Sequence, residues 1–207
     1  MPGTSKVPGT CRPNKNGMDK KLVRISKFLS LVLRHKPETI GLSLDRGGWA
    51  RVDELIAAAN RAGMPLDQAS LQQVVEQNDK QRFAFSDDGL RIRASQGHSL
   101  PVDLGLKPLV PPQLLYHGTA TRFLNSIRRQ GLVPRGRTHV HLSPDEPTAV
   151  RVGERHGKPV VLRVQAGRMH RDGFRFYLSA NGVWLTQKVP VEYLVFPKYL
   201  STNNFAF

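Results

Sequence analysis

RFAFSDDGLRIRAS, residues 82–95, is where the periodicity of this chain changes from helical to alternating. Apolar residues alternate in RFAFS, Asp88-Gly89 supplies turn chemistry, and LRIRAS alternates back, so the stretch predicts a β-hairpin. Its return strand is expected to put Arg91 and Arg93 on one face and Leu90 and Ile92 on the other. Everything upstream reads as helix. Leu22, Ile25, Leu29 and Val32 recur at helical spacing until Pro37 stops the run. After Gly47-Gly48, WARVDELIAAANRAG (49–63) predicts a second amphipathic helix through Val52, Leu55, Ile56 and Ala59, ended by Gly63. A third is expected from Asp67 to Gln77, with Leu71, Val74 and Val75 inward.

Three short helices followed by a hairpin is the order of a winged-helix module, predicted here for residues 19–100. Residues 1–18 are rich in Pro, Gly and Lys without periodicity, and a mobile tail is expected there. Residues 97–113 (GHSLPVDLGLKPLVPPQ) carry four of the fifteen prolines and mark the boundary of a second unit, 101–207. That unit reads as strand LLYHGT, helix ATRFLNSIRRQG, strand THVHLS and a helix from Glu146 to His156. Four more strand-like runs follow: PVVLRVQA, FRFYLSA, GVWLTQ and VEYLVFPKYL. Strands dominate with two helices early, so the fold class expected is α+β. The two halves share no repeat.

The chain has 31 Lys plus Arg against 16 Asp plus Glu, a formal net charge of +15. The excess recurs through periodic elements and forms no single block, which predicts a basic surface on a folded protein and a polyanionic partner, nucleic acid first. Cys11 is the only cysteine, so a disulfide framework and a multi-cysteine zinc site are excluded. A lone thiol, no apolar run of spanning length and no signal-peptide core together predict a soluble, cytoplasmic protein without a membrane partner. A monomer is expected.

Four short motifs carry chemistry: Arg34-His35-Lys36-Pro37, Lys80-Gln81-Arg82-Phe83, Tyr116-His117-Gly118-Thr119 and Arg137-Thr138-His139-Val140-His141-Leu142-Ser143. Each has an ordinary structural use. Cations at a helix C-terminus complement the dipole and Pro ends the helix; basic residues opening a hairpin are commonly solvated; His-Gly-Thr at a strand end is commonly a turn. His139 and His141 share a strand face and could be a zinc pair, but no third ligand has matching spacing, so no metal is expected. No G-x-G-x-x-G lies between a strand and a helix, which argues against a dehydrogenase.

In combination and in this order, the blocks LSLVLRHKPETIGL, GGWARVDELI, QRFAFSDDGLRIRASQGHS, LYHGTA, HVHLS and ANGVWLT resemble the RNA 2′-phosphotransferases, from about Lys20 to the C-terminus. The resemblance implies a winged-helix RNA-binding lobe followed by a β-rich ADP-ribosyltransferase-like lobe that binds NAD. NAD would be consumed as a co-substrate, with no metal. The implied reaction removes an internal 2′-phosphate from a tRNA-like RNA through a 2′-phospho-ADP-ribosylated RNA. Its products are 2′-hydroxyl RNA, ADP-ribose 1″,2″-cyclic phosphate and nicotinamide. The family's Arg-His-Arg-Arg set falls on Arg34, His35, Arg82 and Arg137, with Arg135 an alternative for the last place. The NAD-side positions fall on His117, Gly118, Thr119, His141, Ser143 and Val183, where Gly118 would let the dinucleotide approach the backbone.

Those residue types suit a phosphate. A monoester carries about two negative charges near neutrality. Guanidinium forks bind its oxygens bidentately and stay protonated, and a histidine among them can move a proton. Val183 stands where related transferases that activate a protein nucleophile place a carboxylate. A phosphate needs no such base and would be repelled by one. Two other readings stay open at this point: ADP-ribosylation of terminal phosphates on nucleic acid, and a nucleic-acid binder with a silent second unit.

Overall fold

The computed structural model describes residues 20–77 and 81–197. The expected tail over residues 1–18, with Cys11, lies outside the described residues, as do Lys80 and the end of the last predicted strand.

Helix α1, Lys20–Arg34, buries Leu22, Ile25, Leu29, Val32 and Leu33 along one stripe, while Leu31 on the other side stays exposed. It closes with the His35 and Lys36 amides both donating to the Leu31 carbonyl (3.0 and 2.9 Å). Pro37, which has no amide to donate, opens a 3₁₀ turn, Pro37–Ile40, that Gly41 ends in the left-handed region (φ 66°). Two further helices, α2 (Val52–Arg61) and α3 (Gln68–Glu76), pack behind it. Asp67 caps α3 by accepting from the Ser70 amide (2.7 Å).

The hairpin forms as β2 (Phe83–Phe85) and β3 (Arg91–Ala94). It differs from expectation at Leu90, which is 66% exposed while Ile92 is fully buried. The connection spans Ser86 to Leu90, with Gly89 at φ 71°, so the ladder restarts only at Arg91 and Leu90 escapes the alternation. A third strand went unread in the sequence: β1, Trp49–Arg51, taken above as the start of a helix, pairs antiparallel with β3 to give the order β1-β3-β2. Three residues are too few for alternation to be legible.

The later residues form two further antiparallel sheets. One orders β4 (Leu115–Ala120), β6 (Pro159–Val164) and β9 (Leu194–Val195) as β4-β6-β9. The other orders β5 (Val140–Leu142), β8 (Trp184–Thr186) and β7 (Tyr177–Leu178) as β5-β8-β7. Reciprocal backbone bonds between Tyr116 and Ser143 (3.0 and 2.7 Å) stitch the two sheets together beside His117. Helices α4 (Leu124–Gln130) and α5 (Glu146–Gly153) match expectation. A short α6 (Ala166–Arg171) follows β6, where the sequence reading ran the strand on to Ala166.

The class is therefore α+β, with three small antiparallel sheets and six helices among the described residues. The buried apolar residues form two clusters, one from Leu22 to Ala94 and one from Leu115 to Leu194. Between them the Pro-rich stretch runs as an irregular strap bonded to both sides. Ser99 donates its amide to the Arg34 carbonyl (3.0 Å), His98 accepts from the Thr138 amide (3.0 Å), and Leu109 donates to the Phe176 carbonyl (2.9 Å). No helix among the described residues is long and apolar enough to cross a membrane.

Candidate active site

The end of α1 delivers Arg34 to the seam between the two apolar clusters. Its guanidinium donates to the Arg82 carbonyl (3.3 Å) and lies 5.7 Å from the centre of the Phe83 ring, while its Nε is buried without a partner. Burial, then the charges of Arg82 and Arg137, hold its pKa down at about 10. Neither Arg34 nor Arg137 has an ion pair among the described residues. His35 turns its Nδ1 to the Ser99 hydroxyl (3.0 Å), and burial followed by Arg34 and Arg137 lowers its pKa. Lys36 is exposed.

Arg82 enters from the residue before β2. The preceding Gln81 has φ 39°, a left-handed conformation that costs a non-glycine residue energy. It is held there by Ser95, whose hydroxyl donates to the Gln81 carbonyl (2.8 Å) and whose amide donates to that of Arg82 (2.9 Å). Burial, then Arg155 on the turn after α5, lowers the Arg82 pKa.

Arg137, ahead of β5, donates to Nδ1 of His141 (2.6 Å). A guanidinium has no acceptor to offer, so that nitrogen carries the lone pair and His141 is neutral with its proton on Nε2. Burial, then Arg137 and Arg34, depress the His141 pKa to about 3. Arg135 goes elsewhere: it lies 5.8 Å from the Phe123 ring and donates to the Ser126 hydroxyl on α4. Of the two arginines open for the last place, Arg137 is the one that joins Arg34.

His117 on β4 donates Nδ1–H to the His141 carbonyl (3.0 Å), leaving Nε2 as an acceptor; burial lowers its pKa against the opposing effect of that bond. Thr119, on the same strand face, is buried. Gly118 points the other way, and a Cβ there would sit 1.8 Å from the Ala149 carbonyl oxygen. Close packing of α5 on β4 therefore accounts for this glycine, a different reason from the approach of a dinucleotide. Ser143 bridges the two sheets through its backbone. Val183, half-buried, closes the turn into β8 with its carbonyl accepting from Ser179 (3.0 Å). The residue paired with His141 is Leu185, and Val183 precedes β8.

Sequence reasoning gave no role to Gly97, His98, Ser99 or Arg155. The first three have no periodicity, and their importance comes from what they touch. A Cβ on Gly97 would lie 3.5 Å from an Arg34 guanidinium nitrogen and 3.7 Å from His141 Cε1, so this glycine sits between the two. His98 is 1% exposed. It helps line a cavity of about 180 Å³ between the strap and the face carrying His139, His141 and Tyr177. No group of three or more His, Cys, Asp or Glu among the described residues is placed to hold a metal.

Converging guanidiniums, an adjacent imidazole and a buried guanidinium nitrogen without a partner, chemistry that can receive an anion, meet at the seam of an α+β protein. The chain belongs to the RNA 2′-phosphotransferase, Tpt1 / KptA family, whose sequence model matches residues 20–188. It is 60% identical over 179 residues to a probable RNA 2′-phosphotransferase of Agrobacterium fabrum, covering 86% of this chain and 96% of that one. Identity is 62% over 172 residues to the Burkholderia lata protein of that name (83% and 89% covered) and 59% over 180 to that of Rhodopirellula baltica (86% and 98%).

Proposed function

We propose that this protein removes an internal 2′-phosphate from RNA by transferring it to NAD, giving 2′-hydroxyl RNA, ADP-ribose 1″,2″-cyclic phosphate and nicotinamide. The observation that carries the reading is Arg34, a guanidinium buried beside Arg82 and Arg137 with its Nε unpartnered. Burying like charges together is unfavourable unless an anion completes the site. A dianionic phosphate does so, and the arginines then stabilise the charge that builds on phosphorus as its bonds exchange. His35 is placed beside them to move the proton.

The donor set suits NAD. His117 offers an Nε2 acceptor, Thr119 and Ser143 flank it on the stitched strands, and neutral His141 adds no charge beside the nicotinamide ribose. When bound, NAD supplies the ribose carbon that accepts the phosphate and the neighbouring hydroxyl that closes the cyclic product. Val183 keeps a carboxylate away from the incoming anion. The helices and sheet of residues 20–94 form a winged-helix-like lobe for the RNA, and residues 115–195 an ADP-ribosyltransferase-like lobe for NAD, with the protein acting as a cytoplasmic monomer on tRNA-like RNA.

The test is direct. Purified protein is incubated with NAD and an RNA carrying one internal 2′-phosphate, and both RNA and small molecules are weighed by mass spectrometry. Loss of the phosphate with matching release of cyclic phosphate and nicotinamide is expected. RNA that leaves with an ADP-ribose adduct as the final product would show the reaction to be ADP-ribosylation, and RNA that leaves unchanged would overturn the proposal.

A further inference from the structure

We propose that Ser99 is a positioning residue that fixes the tautomer of His35, so that Nε2 is the nitrogen that exchanges a proton with the phosphate-bearing substrate. The inference rests on the proposed phosphate site, but its main readout does not depend on turnover.

Three bonds carry it. Ser99 is anchored by its own amide, which donates to the Arg34 carbonyl (3.0 Å). Its hydroxyl lies 3.4 Å from that same carbonyl and 3.0 Å from Nδ1 of His35. A hydroxyl has one proton and two lone pairs. The carbonyl can only accept, so both contacts are hydrogen bonds only when the hydroxyl proton goes to it and a lone pair faces His35. In that arrangement Nδ1 carries the hydrogen. In the neutral ring this makes Nε2 the bare nitrogen; in the imidazolium it makes Nε2–H the only donor not already engaged.

The consequence for chemistry is specific. A neutral His35 with a bare Nε2 can take the proton of a hydroxyl as its oxygen bonds to phosphorus. It can then return that proton to the RNA 2′-oxygen as the old P–O bond breaks. One P–O bond forms, one breaks, and the proton count is unchanged. The opposite tautomer would present an N–H to the attacking hydroxyl and could not begin the exchange.

The surroundings favour a neutral ring. The groups facing His35 are Arg34 and Arg137, both cationic, and His98, itself held neutral by burial and by Arg34. Ser99 alone, among these, stabilises a protonated Nδ1. Its loss removes the acceptor that the imidazolium uses, so the proton affinity of His35 falls and its tautomers mix.

The experiment is nitrogen NMR on the full-length protein with ¹⁵N-labelled histidine, the His35 signals being identified by their loss in His35→Gln. Wild type is expected to show neutral His35 as Nδ1–H, and this measurement needs no variant at the serine. In Ser99→Ala the Nε2–H form should appear. With NAD and 2′-phosphorylated RNA, kcat should fall about ten-fold with KM little changed, the scale of a misplaced acid–base group. The acidic limb of the pH–rate profile should move to lower pH, and Ser99→Thr should restore tautomer and profile together. Nε2–H in the wild type, or an unaltered tautomer in Ser99→Ala, would overturn the proposal. A correct tautomer in a wild type that turns over no 2′-phosphate would leave Ser99 in place and refute the proposed function instead.

Discussion

Replacing Arg34 by methionine should make the ligand-free protein more stable while destroying its response to phosphate. The side chain titrates at about 10 where 12.5 is ordinary. Each tenfold change in proton affinity is worth about 1.4 kcal/mol, so holding this charge in the folded protein costs ~3 kcal/mol at neutral pH. Against that stand a hydrogen bond to the Arg82 carbonyl and a distant contact with the Phe83 ring, together ~1–2 kcal/mol. The carbonyl is not orphaned by the change, because it also accepts from the Ser95 amide at 2.9 Å. Methionine fills much of the volume without charge and adapts its shape. The balance is a gain of ~1–2 kcal/mol, or ~2–8 °C in Tm for a chain of this size.

The assay is thermal unfolding in phosphate-free buffer and again with inorganic phosphate. Wild type should gain ~3 kcal/mol of stability when phosphate exceeds its Kd a hundredfold, and Arg34→Met almost none, so the order of the two melting curves reverses. A variant that melts below wild type without phosphate would show that Arg34 is a net structural contributor. Equal stabilisation of both by phosphate would place the anion elsewhere. Either result refutes the reasoning.

Other expectations follow from the same geometry. Arg82→Ala should lower turnover by ~10²–10³-fold, the worth of one donor to developing charge. If Arg82 serves the second step, an ADP-ribosylated RNA should accumulate, visible by mass; unchanged turnover would remove Arg82 from the site. Gly118→Ala would drive a Cβ to 1.8 Å from the Ala149 carbonyl oxygen; it should cost ~2–3 kcal/mol by overpacking, read as a lower denaturant midpoint. Acid should weaken the fold early. The pKa of His98 is held at about 4 and that of His141 at about 3 by burial and neighbouring cations. Unfolded, both sit near 6.5, so below that pH the unfolded chain binds more protons and stability falls as pH falls. Between pH 7 and 5 these two histidines together should account for ~4 kcal/mol of the loss, about half each. Urea titrations across that range check it, and His98→Gln should remove ~2 kcal/mol of the pH 7-to-5 difference.

Much of the fold was legible because helices and hairpins announce themselves by period. Leu22, Ile25, Leu29 and Val32 gave α1, and the switch at Phe83 gave β2 and β3. The three residues of β1, Trp49–Arg51, did not: they run straight into α2 and are a strand only through pairing with β3. A short stretch carries no pattern of its own. Leu90 was misplaced because alternation was counted through a turn that interrupts it. The candidate arginines and histidines could be proposed from the order of motifs, but their mutual support could not. That Arg137 and not Arg135 reaches Arg34 depends on where each points. That Ser99 holds His35 depends on an irregular strap without periodicity. The glycine of Tyr116-His117-Gly118-Thr119 was assigned to a ligand when the demand of α5 on β4 already explains it.

The way the cations are held explains why they could be gathered at all. A carboxylate would be the cheapest support for a guanidinium, but it would also cancel the field meant for the substrate. Here each group rests on a neutral partner: Arg34 on a carbonyl and a ring face, Arg137 on the lone pair of a neutral imidazole, His35 on a hydroxyl. Arg82 is aimed by a strained backbone at Gln81. For Arg34 and Arg137, neutral acceptors orient the cation without cancelling its charge, and the phosphate proposed above would relieve the repulsion that remains. The two apolar clusters on either side of the seam supply the stability that such a site consumes.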